Sequence, residues 1–228
     1  MSLGTVLVTG GSSGLGAAVV KAVIKRGGVP VVLDMQAPES DEVDFEQLDL
    51  ADSVATAAAV GRVVERFPEL NALVTAAGID RCGRLLDVPA AEWERVVAVN
   101  LLGTVSVVRA ALPALRRNHG KVVTVASTLG LRVFSDATAY CASKFAVVGF
   151  TRALTAELQG EVGVTLLIPG GMHTHFFDDR DAQYQPAPDA VLNSPDNVAE
   201  VVITALSQPP GCELREVIVT AATEGSWP

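Results

Sequence analysis

A chain of 228 residues, 49% of them apolar, can bury a sizeable core and fits one compact domain, 1–228, because no Gly-, Pro- or Ser-rich stretch is long enough to act as a linker. Its net charge of −9 and pI near 4.8 argue against nucleic acid or an anionic membrane surface as partner, since neutralising phosphates takes clustered Lys and Arg. A small-molecule substrate is the simpler expectation. Cys82, Cys141 and Cys212 are odd in number and lack C-x-x-C spacing, which supports neither a disulfide framework nor a zinc site and fits free thiols in a reducing compartment. With no basic leader or cleavage signal between Met1 and Thr5, this predicts a cytoplasmic protein.

In chain order, Val6-Leu7-Val8 reads as a first strand, followed by Thr9-Gly10-Gly11-Ser12-Ser13-Gly14-Leu15-Gly16 and an apolar-periodic helix from Ala17 to Arg26. Strand, glycine loop and helix in this order suit a nucleotide phosphate: residues without a Cβ let the chain turn tightly, and the first helical N–H groups then point at the anion. The next apolar run, Val29–Leu33, ends in Asp34, about 20 residues past the glycines, where a dinucleotide fold keeps a carboxylate for the adenosine ribose. Residues 35–44 are acidic and broken by Pro38, which predicts a loop where a crossover helix would otherwise run.

Further strands are expected near 45–48, 71–75, 121–126, 163–168 and 216–220. Asp52 is placed to cap a helix running to Phe67, and Pro89 suits the first turn of the helix that contains Trp93. Two long helices follow near 96–117 and 139–158, and Ser194-Pro195 opens the last, through Leu206. Asn100, Arg109 and Pro113 within the apolar stretch Val96–Leu115 favour a buried helix over a membrane span. His119, after Arg116-Arg117-Asn118, reads as a helix end. The alternation predicts an α/β fold: one doubly wound parallel sheet of about seven strands with helices on both faces.

Tyr140-Cys141-Ala142-Ser143-Lys144 opens a helical pattern, so a phenol and an ammonium four apart share one helix face. A phenol with a pKa of about 10 is a poor acid or base at neutral pH, and a nearby lysine favours the phenolate. Ser127 ends the strand Val122–Ala126, and open parallel sheets bind ligands outside the carboxyl ends of their strands.

On these residues the chain resembles the short-chain dehydrogenase/reductase family, in its compact single-domain branch. The family's Thr-Gly-x-x-x-Gly-x-Gly stands as Thr9, Gly10, Gly14 and Gly16, its Asn-x-x-Gly as Asn100 and Gly103, and its serine as Ser127. Its Tyr-x-x-x-Lys is Tyr140 and Lys144, and its Pro-Gly-x-x-x-Thr is Pro169, Gly170 and Thr174. The resemblance implies a Rossmann-type fold and an oxidoreductase moving hydride between a nicotinamide and a secondary alcohol or ketone. It implies Tyr140 as general acid or base, Ser127 as the group orienting the carbonyl, Lys144 binding the nicotinamide ribose while lowering the tyrosine pKa, and Asn100 holding a relay water. The cofactor would meet Ser12, Ser13 and Leu15 within the glycine loop, Asp49 and Leu50 at the adenine, Ala77 and Gly78, and Pro169, Gly170 and Thr174. Because a carboxylate repels a 2′-phosphate and no arginine follows Gly11 or Asp34 to offset it, Asp34 predicts NAD over NADP.

Three departures stand out. Thr75-Ala76-Ala77-Gly78 replaces the family's Asn-Asn-Ala-Gly and loses an asparagine that ties the central strands; the helix at 35–44 is missing; and the tail through Glu224-Gly225-Ser226-Trp227-Pro228 lacks the family's frequent Val-Asp-Gly-Gly ending. Residues 175–193, with Phe176, Phe177 and Tyr184, are long for a plain connection and read as a lid over the substrate. His173, His175, Asp178 and Asp179 match no usual metal spacing, and no metal is expected. The resemblance also implies a homodimer or homotetramer paired through the two long helices. Alternatives are a non-catalytic NAD-binding redox sensor or scaffold and, last, a nucleotide-sugar epimerase or dehydratase, which needs more chain after Thr174.

Overall fold

The structure, a computed structural model, describes residues 2–224. Seven strands, β1 (Thr5–Thr9), β2 (Val29–Asp34), β3 (Asp44–Gln47), β4 (Leu70–Thr75), β5 (Lys121–Val125), β6 (Gly163–Pro169) and β7 (Glu216–Val219), form one sheet in the order β3-β2-β1-β4-β5-β6-β7. Every neighbouring pair is parallel. Parallel strands are covered on both faces, which is why Val6-Leu7-Val8 and Val31-Val32-Leu33 are continuous apolar runs, all fully buried. One face packs on α1 (Gly14–Lys25) and α6 (Pro195–Leu206); the other packs on α2 (Ser53–Arg66), α4 (Thr104–Arg117) and α5 (Thr138–Glu157).

Local signals set the helix starts. The Asp52 carboxylate accepts from the Val54 and Ala55 amides at 3.0 and 2.9 Å, closing the first turn of α2, and the Ser194 hydroxyl does the same for α6 with Pro195 in its first turn. Pro89 is not in the first turn but one step before it, at the N-cap of α3 (Ala90–Val97), with its ψ of 136° still extended. The chain leaves α4 through His119 in the left-handed region, φ 47°.

One expectation about helices changes. The helix around Trp93 and the one expected from 96 are a single continuous helix, Ala90–Arg117, in which α3 passes into α4 through a π-helical turn, Ala98–Gly103. That helix is long and apolar enough to cross a membrane; here Val99, Val107, Ala111 and Leu115 pack against the sheet. The acidic stretch after Asp34 is indeed a loop, so β2 reaches its parallel neighbour β3 without a helix. A parallel crossover ordinarily takes a dozen residues or more, and β3, only four residues long, shortens the return path enough to do without one. Arg62 and Arg66 from α2 fasten this edge strand, reaching Glu46 at 2.7 and 2.5 Å and Asp44 at 2.5 Å; the hydrogen bond from Arg62 leads the effects that hold the Glu46 carboxyl below its usual range.

At the sheet centre, Thr75 lies between Thr9 and Thr124. The strands stay paired without the asparagine that the family keeps here, and Ala77 N donates to Thr9 Oγ1 at 3.3 Å across the β1–β4 junction. The substitution leaves a trace: Thr75 Oγ1 is buried with no hydrogen-bond partner. At the far edge, β7 ends one residue earlier than expected, Glu224 accepts from Gly171 N at 3.0 Å, and the closing Gly225–Pro228 lies outside the described residues. Because an orphaned buried hydroxyl is penalised, Thr75→Val is expected to stabilise the fold by about 1 kcal/mol, seen as a thermal midpoint higher by roughly 2–4 °C in calorimetry.

Candidate active site

The strand order reverses between β1 and β4, and the crevice of a doubly wound sheet opens at that point, outside the strands' carboxyl ends. Here it is a cleft of about 620 Å³. Gly10, at φ 68°, lies so close to the β4 end that a Cβ would come within 2.7 Å of Ala77 Cα. Gly14, φ 51°, opens α1 beneath Thr174. Ser13 at the N-cap makes no side-chain bond to the first turn, which leaves the first N–H groups of α1 for a ligand. Gly16 serves packing instead, since a Cβ there would run into the Gly10 carbonyl.

Asp34 stands on the rim at the end of β2. Its oxygens accept from Ser12 N at 3.0 Å and Gln36 N at 3.1 Å, and the Ser12 hydroxyl donates to Gln36 O at 2.6 Å. Asp49 is engaged by an unforeseen partner, Arg95 of α3, whose guanidinium donates to it at 3.0 Å and lies 3.7 Å from Met35 Sδ. A cation therefore does reach this end of the cleft, from an element distant in sequence, although its charge is matched by Asp49.

Of the residues expected at a cofactor, Gly10, Ser13, Gly14, Leu15, Asp34, Asp49, Leu50, Ala77, Gly78 and Thr174 line the cleft. Thr9, Ser12, Gly16, Pro169 and Gly170 are not among the residues that line it, and neither are Asn100, Ser127, Tyr140 and Lys144, although Phe176 and Gly78, which do line it, neighbour Tyr140 and Lys144. Asp80, Arg81, Cys82, Arg95 and Arg180 line it too and were not foreseen.

Ser127, Tyr140 and Lys144 meet at the carboxyl end of β5. Ser127 begins a short 3₁₀ turn, Thr128–Gly130, and its hydroxyl accepts from Leu129 N at 3.1 Å. Lys144 Nζ lies 5.6 Å from the Tyr140 ring centre and 3.5 Å from where a Cβ of Gly78 would be. Asn100, inside the π turn, uses its whole side chain as a clamp: Oδ1 accepts from Ile79 N at 2.8 Å, and Nδ2 donates to Ile79 O at 2.9 Å and Ser143 Oγ at 3.0 Å. π turns commonly mark functional positions in helices, and this one points an amide at the β4 loop.

Burial shifts both members of the tyrosine–lysine pair. Burial pushes the Tyr140 pKa up, with Asp80 adding to the rise, while the hydrogen bond with Ser127 and the charge of Arg180 pull it down. Burial wins. Lys144 is itself desolvated, which lowers its amine to about 8, and it donates to Val125 O at 3.0 Å rather than to the phenol.

The segment expected as a lid is folded onto the site. Met172 and Asn193 pair at its base, two 3₁₀ turns, His175–Phe177 and Ala182–Tyr184, shape it, and Phe176 stacks on Tyr140 with ring centres 5.6 Å apart. His175 pairs with Asp178 at 2.7 Å on the exposed outer side.

Lys144 sets a pH dependence. Between about pH 8, where the folded amine loses its proton, and 10.5, the unfolded chain binds the extra proton, so stability rises with pH by up to about 1.4 kcal/mol per unit. Cys82, raised by burial from 9.0 to about 12, opposes this from about pH 9, and Tyr140, raised by burial from 10.0, adds to the opposition above that, because the unfolded thiol and phenol ionise first. Denaturant unfolding of the cofactor-free protein should show the rise between about pH 8 and 9, and Lys144→Met should remove it.

Glycines where a Cβ would obstruct, an uncapped helix start, a rim carboxylate, and a buried lysine and asparagine beside Gly78 all fit a nicotinamide dinucleotide. Comparison with known proteins agrees. The chain is 30% identical to an uncharacterized oxidoreductase of Staphylococcus saprophyticus over 93% of its own length and 95% of the relative's. It is 30% identical to trans-4-hydroxycyclohexanecarboxylate dehydrogenase of Sinomonas cyclohexanicum over 74% and 72%. Its fold superposes on an alcohol dehydrogenase of the archaeon Thermococcus sibiricus, complexed with 5-hydroxy-NADP, with a TM-score of 0.85 at 24% identity, covering 97% of this chain and 98% of that one. Residues 4–185 match the family model described as short chain dehydrogenase, and the chain belongs to that family of nicotinamide-dependent oxidoreductases.

Proposed function

We propose that this oxidoreductase uses NAD to interconvert a secondary alcohol and its ketone, with Tyr140 as general acid and base. The observation that carries the reading is the meeting of Ser127, Tyr140 and Lys144 at the end of β5, beside Gly78 and beneath Phe176. When bound, the nicotinamide accepts or supplies the hydride.

The chain's own residues bind, orient and move the proton. The first turn of α1, from Ser13 to Leu15, holds the pyrophosphate. Asp34 takes the adenosine ribose, Asp49 and Leu50 flank the adenine, and Ala77, Gly78, Tyr140 and Lys144 take the nicotinamide ribose. Thr174 closes the far side from a position set by Pro169 and Gly170, and Asn100 positions the Ile79 backbone that follows Gly78. With Leu129 N donating to Ser127 Oγ, the serine's own hydrogen bonds with Tyr140 in the free protein and passes to a substrate oxygen when one is bound.

In carbonyl reduction, Tyr140 gives its proton to that oxygen, a role suited to a phenol that burial keeps protonated. In alcohol oxidation it takes the proton, and Ser127 and Arg180 are the groups that ease its ionisation. The preference for NAD rests on Asp34, which sets negative charge where a 2′-phosphate would have to lie; Arg95 is matched by Asp49 and does not reverse it. The relative named as a hydroxycyclohexanecarboxylate dehydrogenase supports an alcohol as substrate. The same reading makes the protein a cytoplasmic enzyme acting on a small molecule, with neither nucleic acid nor membrane as partner.

A nicotinamide-absorbance assay over a panel of secondary alcohols and ketones tests this. NAD should give the higher kcat/KM, and Tyr140→Phe should lower kcat by about 10²–10⁴-fold while NAD binding in calorimetry is largely retained; a Tyr140→Phe variant of normal rate would sink the assignment. The protein is also expected to pair through α4 and α5, near which Leu102 and Phe145 are exposed; light scattering should report a dimer or tetramer, and a monomer at assay concentration would refute it.

A further inference from the structure

One ion pair joins the folded-over segment to the body of the protein. Asp80, five residues beyond the end of β4, meets Arg180 at 2.7 Å, with the two side chains only 3% and 17% exposed. The Cys82 thiol donates to the same Asp80 oxygen at 3.2 Å, and burial pushes that thiol up to about 12, so it stays a protonated donor. Arg180 in turn lies against two aromatic rings, 5.1 Å from the centre of Phe176 and 4.6 Å from that of Phe177. It also donates to Tyr184 O at 3.3 Å, while its own carbonyl accepts from Gln185 Nε2 at 3.0 Å. Phe176, held in this way, is the ring that covers Tyr140.

We propose that the Asp80–Arg180 pair is a latch: these two positioning residues seat Phe176 on Tyr140, so the site is closed and dry only while the pair is made. Exposed ion pairs contribute little, but removing one partner of a buried pair leaves an uncompensated charge, which is strongly destabilising. Arg180 Nε, buried with no hydrogen-bond partner among the described residues, weakens the closed form and leaves the latch able to open. Substrate admission then requires the pair to part, and closure returns Arg180 to the side of the phenol. This consequence for turnover rests on the proposed role of Tyr140; the latch itself does not.

The test therefore reads the folded protein without substrate. The chain has two tyrosines, Tyr140 and Tyr184, so acetylation by N-acetylimidazole, read by peptide mass spectrometry, reports directly on Tyr140. In Asp80→Asn and Arg180→Ala, labelling of Tyr140 should be at least about tenfold faster than in the parent protein, the response to a loss of roughly 1.4 kcal/mol or more in closure. Hydrogen exchange should accelerate within 171–193 and not in the sheet. Asp80→Glu should restore most of the protection, a rescue that general loss of stability would not give. Should Arg180→Ala fail to fold, Arg180→Lys, which keeps the charge but not the flat plate between the rings, should label faster than the parent. A folded Asp80→Asn protein in which Tyr140 stays as shielded as before overturns the latch. Faster labelling in Asp80→Asn together with full activity of Tyr140→Phe would uphold the latch and remove only the catalytic role.

Discussion

A parallel sheet buried on both faces has nowhere to do chemistry except at the ends of its strands. With Val6–Val8, Val31–Leu33 and Leu73-Val74 all sealed between helices, the polar groups that matter here stand at carboxyl termini: Asp34 after β2, Asp80 after β4, Ser127 after β5 and Thr174 after β6. The reversal of strand order at β1 and β4 turns that row of ends into a crevice. The contact that allows it is the near touch of Gly10 and Ala77, too tight for any side chain.

The second determinant is dryness. Tyr140 and Lys144 are both desolvated, and each is driven toward its neutral form: the phenol upward, the amine down to about 8. The amine stays mostly charged at neutral pH but bonds to Val125 O and not to the phenol, so the smaller local influences decide. For Tyr140 these are a serine hydroxyl, one carboxylate and one guanidinium, the last carried by the segment that closes over it. Acidity and closure are thereby coupled in this chain.

Much of this was legible in the sequence, for a physical reason. Strands buried on both sides must be apolar without interruption, helix starts need a side-chain acceptor such as Asp52 or Ser194, and a phosphate loop needs glycines where backbone nears backbone. Each of these is a local demand with a local signature. The unread features join distant loops. Arg180 and Asp80 are 100 residues apart, and Arg95 and Asp49 are 46 apart; neither pair disturbs any periodicity, and each looks like an ordinary surface charge until the fold brings it to its partner. The π turn at Asn100 was hidden because one extra residue per turn barely changes an apolar pattern. The replacement of an asparagine by Thr75 was visible, but its outcome, paired strands around an orphaned hydroxyl, depends on packing that a sequence does not display.

The missing crossover helix has an effect beyond the cleft. The link it shortens leads to β3, an outer strand of the sheet, and unpaired strand edges are templates on which other chains can add. Here the edge is short, and its acidic side chains are tied down by the arginines of α2. A neighbouring molecule approaching this border meets fixed charges beside the strand's amides and carbonyls, and charged side chains on a short strand are what blunt such an edge.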